Sequence, residues 1–356
     1  MSTLGGFFTR IFHNDVAFDL GTMNTLIRVR GNDRTISQPT VIAVNTNDEV
    51  IAVGEEAKKM LGTNPGNIRS IRPMKNGAIN DPFVTDKMLE RFLKQVSSPF
   101  GMMRPRVAVA VPSGISRVLR KAVEESFNRA GARVVRLVEE PFAAAVGTGL
   151  PVYSSTGCMI IDVGGGTSEI AIIANGGIVT CNSINVAGDA MDDAIIAFLE
   201  EQHNLLIGPL EAEKIKIQIG SAIPYSAFDE QEKTIEVSGQ LMGPRGEKRP
   251  GSVSVTSEEI RQALDGPINR IIDGVMQTLS STLPQLATNL VPLGMTVTGG
   301  SSKLRGFADR LSSACNMPVH QVDSPMTSVI DGLITIMEHH SLFDKPQVDP
   351  VGINVK

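Results

Sequence analysis

Two glycine-bearing turns, set far apart in the sequence, constrain this chain more than any other feature. The first, Asp19-Leu20-Gly21-Thr22-Met23-Asn24, follows the apolar run Val16-Ala17-Phe18 and leads into Thr25-Leu26-Ile27-Arg28-Val29. The second, Asp162-Val163-Gly164-Gly165-Gly166-Thr167, follows Met159-Ile160-Ile161 and leads into Glu169-Ile170-Ala171-Ile172-Ile173. Each reads as a tight hairpin with an aspartate at the bend. Glycine admits positive φ and close approach of the backbone, so successive N–H groups can converge on anionic oxygens. Either turn alone is ordinary hairpin chemistry. As a pair facing one another they predict a pincer on a polyphosphate. A third element fits them: the apolar strand Met295-Thr296-Val297-Thr298 ends in Gly299-Gly300-Ser301-Ser302, where bare backbone lets a planar base lie flat.

These three elements, in this order and at these separations, resemble the nucleotide-binding core of the actin, sugar kinase and DnaK-type superfamily. Further segments narrow the likeness: Asp19 to Leu26 (DLGTMNTL), Met60 to Lys75 (MLGTNPGNIRSIRPMK), Val111 to Ile115 (VPSGI), Val138 to Ala145 (VEEPFAAA), Gly188 to Ile196 (GDAMDDAII) and Asn204 to Gly208 (NLLIG). Together, over residues 15–340, the chain is similar to the MreB family of bacterial actins. The resemblance implies an α/β, actin-like fold, with two lobes of mixed sheets around a nucleotide cleft and a smaller outer subdomain on each lobe. It divides the chain into a membrane-binding segment at 1–14, subdomain IA at 15–32, 73–146 and 320–345, IB at 33–72, IIA at 147–181 and 251–319, and IIB at 182–250.

Phosphates are expected on Gly21, Thr22, Met23 and Asn24 in the first turn, and on Gly164, Gly165, Gly166 and Thr167 in the second. Asp19 and Asp162 would hold Mg²⁺ mostly through its waters, because this ion keeps much of its hydration shell and prefers carboxylate and phosphate oxygens. Phosphoryl transfer is largely positioning and charge neutralisation, so a residue must aim water at the γ-phosphate. Glu140 stands at the end of the apolar strand Val134-Val135-Arg136-Leu137-Val138 and before Pro141. By residue type alone, Glu139 and Glu140 read equally well as an acidic first turn favoured by the helix dipole. The family's Glu-Glu-Pro pattern assigns the water to Glu140, with the Thr167 hydroxyl as second contact.

Glu213 and Lys216 lie one helical turn apart, and an exposed ion pair would show the same spacing. The superfamily's Glu-x-x-Lys pattern assigns them to the ribose, with Gly188 and Asp189 closing that side and Gly299, Gly300 and Ser301 receiving the base. The implied cofactors are ATP, or GTP, with Mg²⁺. The chain departs from the family at Met23 and Ala190, where a small residue and a lysine are usual, and at Ser301. The Met23 side chain is expected to point away from the nucleotide.

At 356 residues the chain exceeds the roughly 250–300 at which single cores stop growing, and with 42% apolar residues it can fill two. A net charge of −5 argues against a nucleic-acid partner. Cys158, Cys181 and Cys315 are odd in number and scattered, and are expected to be reduced, mostly buried thiols rather than a disulfide or zinc framework. No apolar run reaches the ~18–20 residues of a spanning helix. Helical periodicity is clear at Met88, Leu89, Phe92, Leu93 and Val96, and at Ile115, Leu119, Ala122, Val123 and Phe127 closing at Gly131. Helices are also expected over Met191 to Leu199 and Ala212 to Ser221, and a hairpin with a basic, solvated tip at Arg245 to Arg249.

The terminus MSTLGGFFTRIFH carries Leu4, Phe7, Phe8, Ile11 and Phe12 at helical spacing, one apolar stripe that no core obviously requires. Core packing or a frayed terminus is the alternative. Gly5 and Gly6 weaken a free helix by roughly 1 kcal/mol each, so it would form on contact with lipid. A single copy should bind weakly, and a filament presenting many copies strongly. Phe100, Met102 and Met103 on a helix-to-strand loop read as a second membrane contact or as ordinary packing.

A polymerising, nucleotide-switched cytoskeletal protein with weak ATPase activity is the reading preferred here. The resemblance implies a self-assembling filament on the inner face of the cytoplasmic membrane that organises cell-wall synthesis with RodZ-, MreC- and MreD-like membrane proteins. A sugar or acid kinase with the same cleft is the alternative, although no polar substrate-binding insertion is evident. A DnaK-type chaperone would need a peptide-binding domain for which the sequence leaves no room.

Overall fold

The computed structural model describes residues 15–61, 66–75, 77–96, 104–243 and 246–339. The apolar stripe Leu4, Phe7, Phe8, Ile11 and Phe12, and the loop residues Phe100, Met102 and Met103, lie outside them. By internal contacts the chain divides into two compact units, one of Met1–Gly157, Ile173–Cys181 and Met326–Lys356, the other of Cys158–Ile172 and Asn182–Pro325.

In the first unit, β1 (Asp15–Leu20) and β2 (Asn24–Val29) form the first hairpin, with Leu20 opposite Thr25. Together with β3 (Thr35–Pro39), β9 (Arg106–Val111) and β10 (Val134–Glu139) they make a five-stranded sheet in the order β10-β9-β1-β2-β3. The Arg-Val-Ala-Val-Ala-Val sequence of β9 is nearly continuous in apolar residues, as a parallel strand covered on both faces must be. β9 runs parallel to both neighbours, with Asp19 opposite Ala110 and Glu139 opposite Val111, so the carboxyl ends of β1, β9 and β10 share one edge. The core on this sheet includes Phe18, Phe92 and Phe127, with Phe18 and Phe127 edge to face at 5.1 Å between ring centres.

The helix Pro82–Val96 buries Met88, Leu89, Phe92 and Leu93, four of the positions its periodicity marked, and leaves the fifth, Val96, half-buried at its end. The next helix, Arg117–Arg129, starts later than the apolar spacing suggested. Ser116 is extended and its Oγ accepts a hydrogen bond from the Leu119 N–H at 3.3 Å, so Ile115 falls before the cap. Gly131 follows this helix with φ 112°.

Residues 33–72 continue from β3 into a separate three-stranded antiparallel sheet, β5 (Val50–Val53), β4 (Ile42–Asn45) and β6 (Ile68–Ile71). It closes with the helix Glu55–Lys59 over Val41, Ala43, Ala52 and Ala57. A short hairpin of β7 (Met74–Lys75) and β8 (Ala78–Ile79) then leads into Pro82–Val96.

The helix Glu140–Gly147 is held by the distant helix Ser328–His339. The two touch through glycine: a Cβ on Gly147 would lie 1.9 Å from the Ser328 carbonyl oxygen, and one on Gly332 would lie 1.7 Å from that of Ala143. Backbone cannot yield as a side-chain tip can. Gly332→Ala is therefore expected to cost at least the 1–3 kcal/mol typical of overpacking, read as a fall in denaturant midpoint relative to an exposed control such as Gly208→Ala. An unchanged midpoint would show that the helices separate freely.

The sheet carrying the second turn has the order β13-β12-β11-β17-β18, built from β11 (Cys158–Val163), β12 (Ser168–Ala174), β13 (Gly177–Ile184), β17 (Met295–Thr298) and β18 (Val319–Gln321). β11 and β12 are buried at every position. β11 lies parallel to β17 with Asp162 opposite Thr298, so Asp162 and Gly299 come to one carboxyl edge. The helix Gly188–His203 contains the expected Met191 to Leu199 span and extends beyond it at both ends. The helix Pro209–Ile219 ends before Ser221, because Gly220 turns to an extended ψ of 141°. The long helix Ser257–Ser280 opens on a capping box of Thr256 and Glu259.

A three-stranded sheet of β14 (Leu205–Leu206), β15 (Thr234–Met242) and β16 (Lys248–Thr256) completes this region. Arg249, expected at a loop tip, is within β16 opposite Leu241. Cys158 is buried, whereas Cys181 and Cys315 are half-buried, and all three are free thiols. Among the described residues no helix is long and apolar enough to cross a membrane.

Candidate functional site

The first turn stands at the carboxyl edge of the β10-β9-β1 sheet. Asp19 is half-buried near the end of β1, and the chain reverses through Gly21, Thr22 and Met23 before Asn24 opens β2. Gly21 is required sterically, since a Cβ there would meet the Asn24 carbonyl oxygen at 2.7 Å. The turn is fixed from outside: the Thr40 hydroxyl donates to the Gly21 carbonyl at 2.8 Å, and the Thr40 N–H donates to that of Met23 at 2.9 Å. The Gly77 N–H donates to the Thr22 hydroxyl at 3.1 Å. The Met23 sulfur accepts from the Arg72 guanidinium, so the side chain is turned toward the segment that leaves the small sheet.

Glu140 begins its helix at the same edge, two strands from Asp19, a separation of roughly 10 Å at about 4.8 Å per strand. Its neighbour Glu139 is the N-cap residue and is ion-paired with Arg120 at 2.9 Å. The two glutamates are thus placed differently. Glu139 is tied to the scaffold, and Glu140 is half-buried at the helix start with Pro141 buried behind it.

In the second unit the expected residues converge. The Ser301 hydroxyl donates to the Gly164 carbonyl at 2.7 Å, the Gly188 N–H to the same carbonyl at 3.2 Å, and the Asp189 N–H to that of Gly165 at 2.7 Å. Lys216 donates to the Gly188 carbonyl at 3.1 Å. The second turn, the start of Gly188–His203, the helix Pro209–Ile219 and the Gly299–Ser301 loop are therefore one hydrogen-bonded assembly. Gly299 has φ +86°, and a Cβ on it would lie 2.3 Å from the Asp162 carboxylate.

Two carboxylates in this assembly are electrostatically unusual. Burial pushes the Asp162 carboxyl up from 3.8 to about 7. Among the described residues none donates a hydrogen bond to it, so its charge is desolvated without compensation. Asp192 was not marked by the sequence reading. It is raised to about 6 by burial, opposed by Lys216, with which it pairs at 2.8 Å. Lys216 is thus partnered by Asp192, one turn into the Gly188 helix, rather than by Glu213. The Gly-Asp-Ala-Met-Asp run places Asp192 on the helical face of Gly188, and that i,i+4 spacing was the available signal.

Within the second unit, the Gly299 backbone that a Cβ would fill, the buried Asp162 carboxylate and the Lys216–Asp192 pair are a donor set that fits a phosphate-bearing ligand with a hydrated divalent cation. Ser301 is engaged in joining two loops, which accounts for a hydroxyl at that position.

The family profile described as MreB/Mbl protein matches residues 13–345. The Escherichia coli K12 cell shape-determining protein MreB is 44% identical over 331 residues, covering 91% of this chain and 93% of that protein. The Bacillus subtilis cell shape-determining protein Mbl is 36% identical, covering 92% and 97%. Among solved structures, MreB5 of Spiroplasma citri bound to ADP superposes with a TM-score of 0.85 at 31% identity, covering 92% of this chain and 97% of that one. The MamK double helical filament, at 19% identity and TM-score 0.75, shares the actin-like fold.

Proposed function

This chain belongs to the MreB/Mbl family, and on that premise we propose that it is a nucleotide-dependent, filament-forming actin homologue that organises cell-wall synthesis and cell shape from the inner face of the cytoplasmic membrane. Its cell-shape relatives and its actin-like fold support the cytoskeletal reading over a small-molecule kinase. The observation that carries the nucleotide role is the bonding of Gly164, Gly188, Lys216 and Ser301 into one assembly beside the buried carboxylate of Asp162.

In this reading ATP is the nucleotide, its phosphates held by Gly21–Asn24 and Gly164–Thr167, and its ribose and base by Gly188, Asp189, Glu213, Lys216 and Gly299–Ser301. Mg²⁺, when bound, neutralises phosphate oxygens. Asp19 and Asp162 would hold it mostly through its waters. Glu140 orients the attacking water with Thr167, and hydrolysis is slow. The outer subdomains are assigned to 33–72 and 182–250. RodZ-, MreC- and MreD-like membrane proteins are the proposed partners, with the terminal stripe as lipid anchor.

Sedimentation of the purified protein with ATP and liposomes tests the reading as a whole, with pelleting expected only when both are present at low protein concentration. Labelled phosphate transfer from ATP to hexoses or carboxylates is expected to be nil. The anchor has its own test. Deleting residues 2–12, or replacing Phe7 and Phe8 by Glu, should abolish liposome flotation and leave ATP-dependent light scattering and the melting temperature intact. If those side chains were core, truncation would cost about 2–5 kcal/mol each and the melting temperature would collapse.

A further inference from the structure

Arg72 touches the first turn through an unusual partner. It follows β6 (Ile68–Ile71) directly, so it is the residue through which the small three-stranded sheet is joined to β7. Its guanidinium donates to the sulfur of Met23. Among the described residues no carboxylate pairs with it, although Arg28, Arg30, Arg69, Arg106, Arg120 and Arg129 in the same unit all have one. A half-buried guanidinium left with a thioether is poorly satisfied, because sulfur is a weak acceptor and carries no charge. The Gly77 to Thr22 hydrogen bond and the Thr40 bonds to Gly21 and Met23 keep this segment and the turn together.

We propose that Arg72 is a phosphate-contact residue that exchanges the Met23 sulfur for the terminal phosphate of a bound nucleoside triphosphate. The proposal rests on the nucleotide reading above and adds a residue and a discrimination to it. A phosphate oxygen offers the guanidinium a charge-assisted, bidentate partner in place of a neutral one, so the exchange is favourable only while the terminal phosphate is present. Because Arg72 continues β6 without an intervening loop, its movement is transmitted to β4 and β5. The small sheet then reports whether the nucleotide is a triphosphate or a diphosphate. Met23 acts as a resting place for the guanidinium and weakens the triphosphate contact by competing for it.

The test is a comparison of affinities for AMPPNP and ADP, both with Mg²⁺, for wild type, Arg72→Gln, Met23→Leu and the double variant. Arg72→Gln is expected to lose about tenfold or more in AMPPNP affinity, the size of one charge-assisted contact, with ADP affinity unchanged within about twofold. Met23→Leu keeps the apolar bulk and removes the acceptor. It should raise the AMPPNP-to-ADP preference, and should have no such effect when Arg72 is already Gln. Hydrogen exchange over Ile42–Asn45 and Ile68–Ile71 should differ between AMPPNP and ADP in wild type and not in Arg72→Gln. Equal losses for both nucleotides in Arg72→Gln, or a Met23→Leu effect that persists without Arg72, would overturn the proposal. Failure of wild type to bind either nucleotide would instead overturn the nucleotide reading itself.

Discussion

Asp162→Asn is expected to lose Mg-nucleotide binding by about 10- to 100-fold, the range for removing a group that holds a metal's outer ligands, and at the same time to stabilise the nucleotide-free protein at neutral pH. The second effect follows from the carboxyl's environment. Its pKa is about 7 in the folded state against 3.8 ordinarily, so the folded protein keeps a proton that the unfolded chain releases. Between those two values the native state binds more protons, and stability falls as pH rises, with the full penalty present above about 7. Asn carries no charge to desolvate and should flatten that slope, raising the melting temperature at pH 8 and leaving it nearly unchanged at pH 4. Saturating Mg-ATP should restore the wild type at pH 8 and do little for the variant. A variant that melts below wild type at pH 8 in the absence of nucleotide would remove the buried-charge account of Asp162.

Glu140→Ala should separate chemistry from assembly. Orienting water matters in the transition state and not in the bound ground state. Nucleotide should still bind and filaments should still form, with phosphate release slowed by about 10²-fold, the lower range for loss of a general base. Glu139→Ala is the matched control. It breaks the Arg120 pair at 2.9 Å and should act through stability more than through turnover. Filaments of Glu140→Ala should accordingly persist longer in ATP. Phosphate release at the wild-type rate would take Glu140 out of the mechanism.

The parts of this molecule that were legible in sequence are those whose cause is local. Both glycine turns sit between strands whose apolar runs define them, and the helix Pro82–Val96 buries four of the five residues its period marked. Element ends were less legible, because a single residue decides them. Ser116 delays one helix past Ile115, and Gly220 stops another before Ser221. Least legible were partners distant along the chain. Lys216 has Glu213 one turn away on its own helix, and only the fold shows that buried Asp192, on the Gly188–His203 helix, takes it instead. Met23 departs from the family's small residue, and its engagement with Arg72 depends on a register no local pattern encodes. The Gly147 and Gly332 contact belongs to the same class, since each glycine alone reads as an ordinary weak point in a helix.

That last contact also sets an order of events during synthesis. The helix that begins with Glu140 has its seat on Ser328–His339, which leaves the ribosome only after the whole of the second unit has been made. At about 5–20 residues per second, the roughly 180 residues between Gly147 and Ser328 represent about 10–40 seconds of translation. By the end of that interval the second unit has been made in full, whereas the first, though begun earlier, still lacks its closing helix. A nascent chain therefore holds its Glu140 helix unseated until translation is almost finished. A truncation that removes Ser328–His339 is therefore expected to unseat a helix made roughly 180 residues earlier.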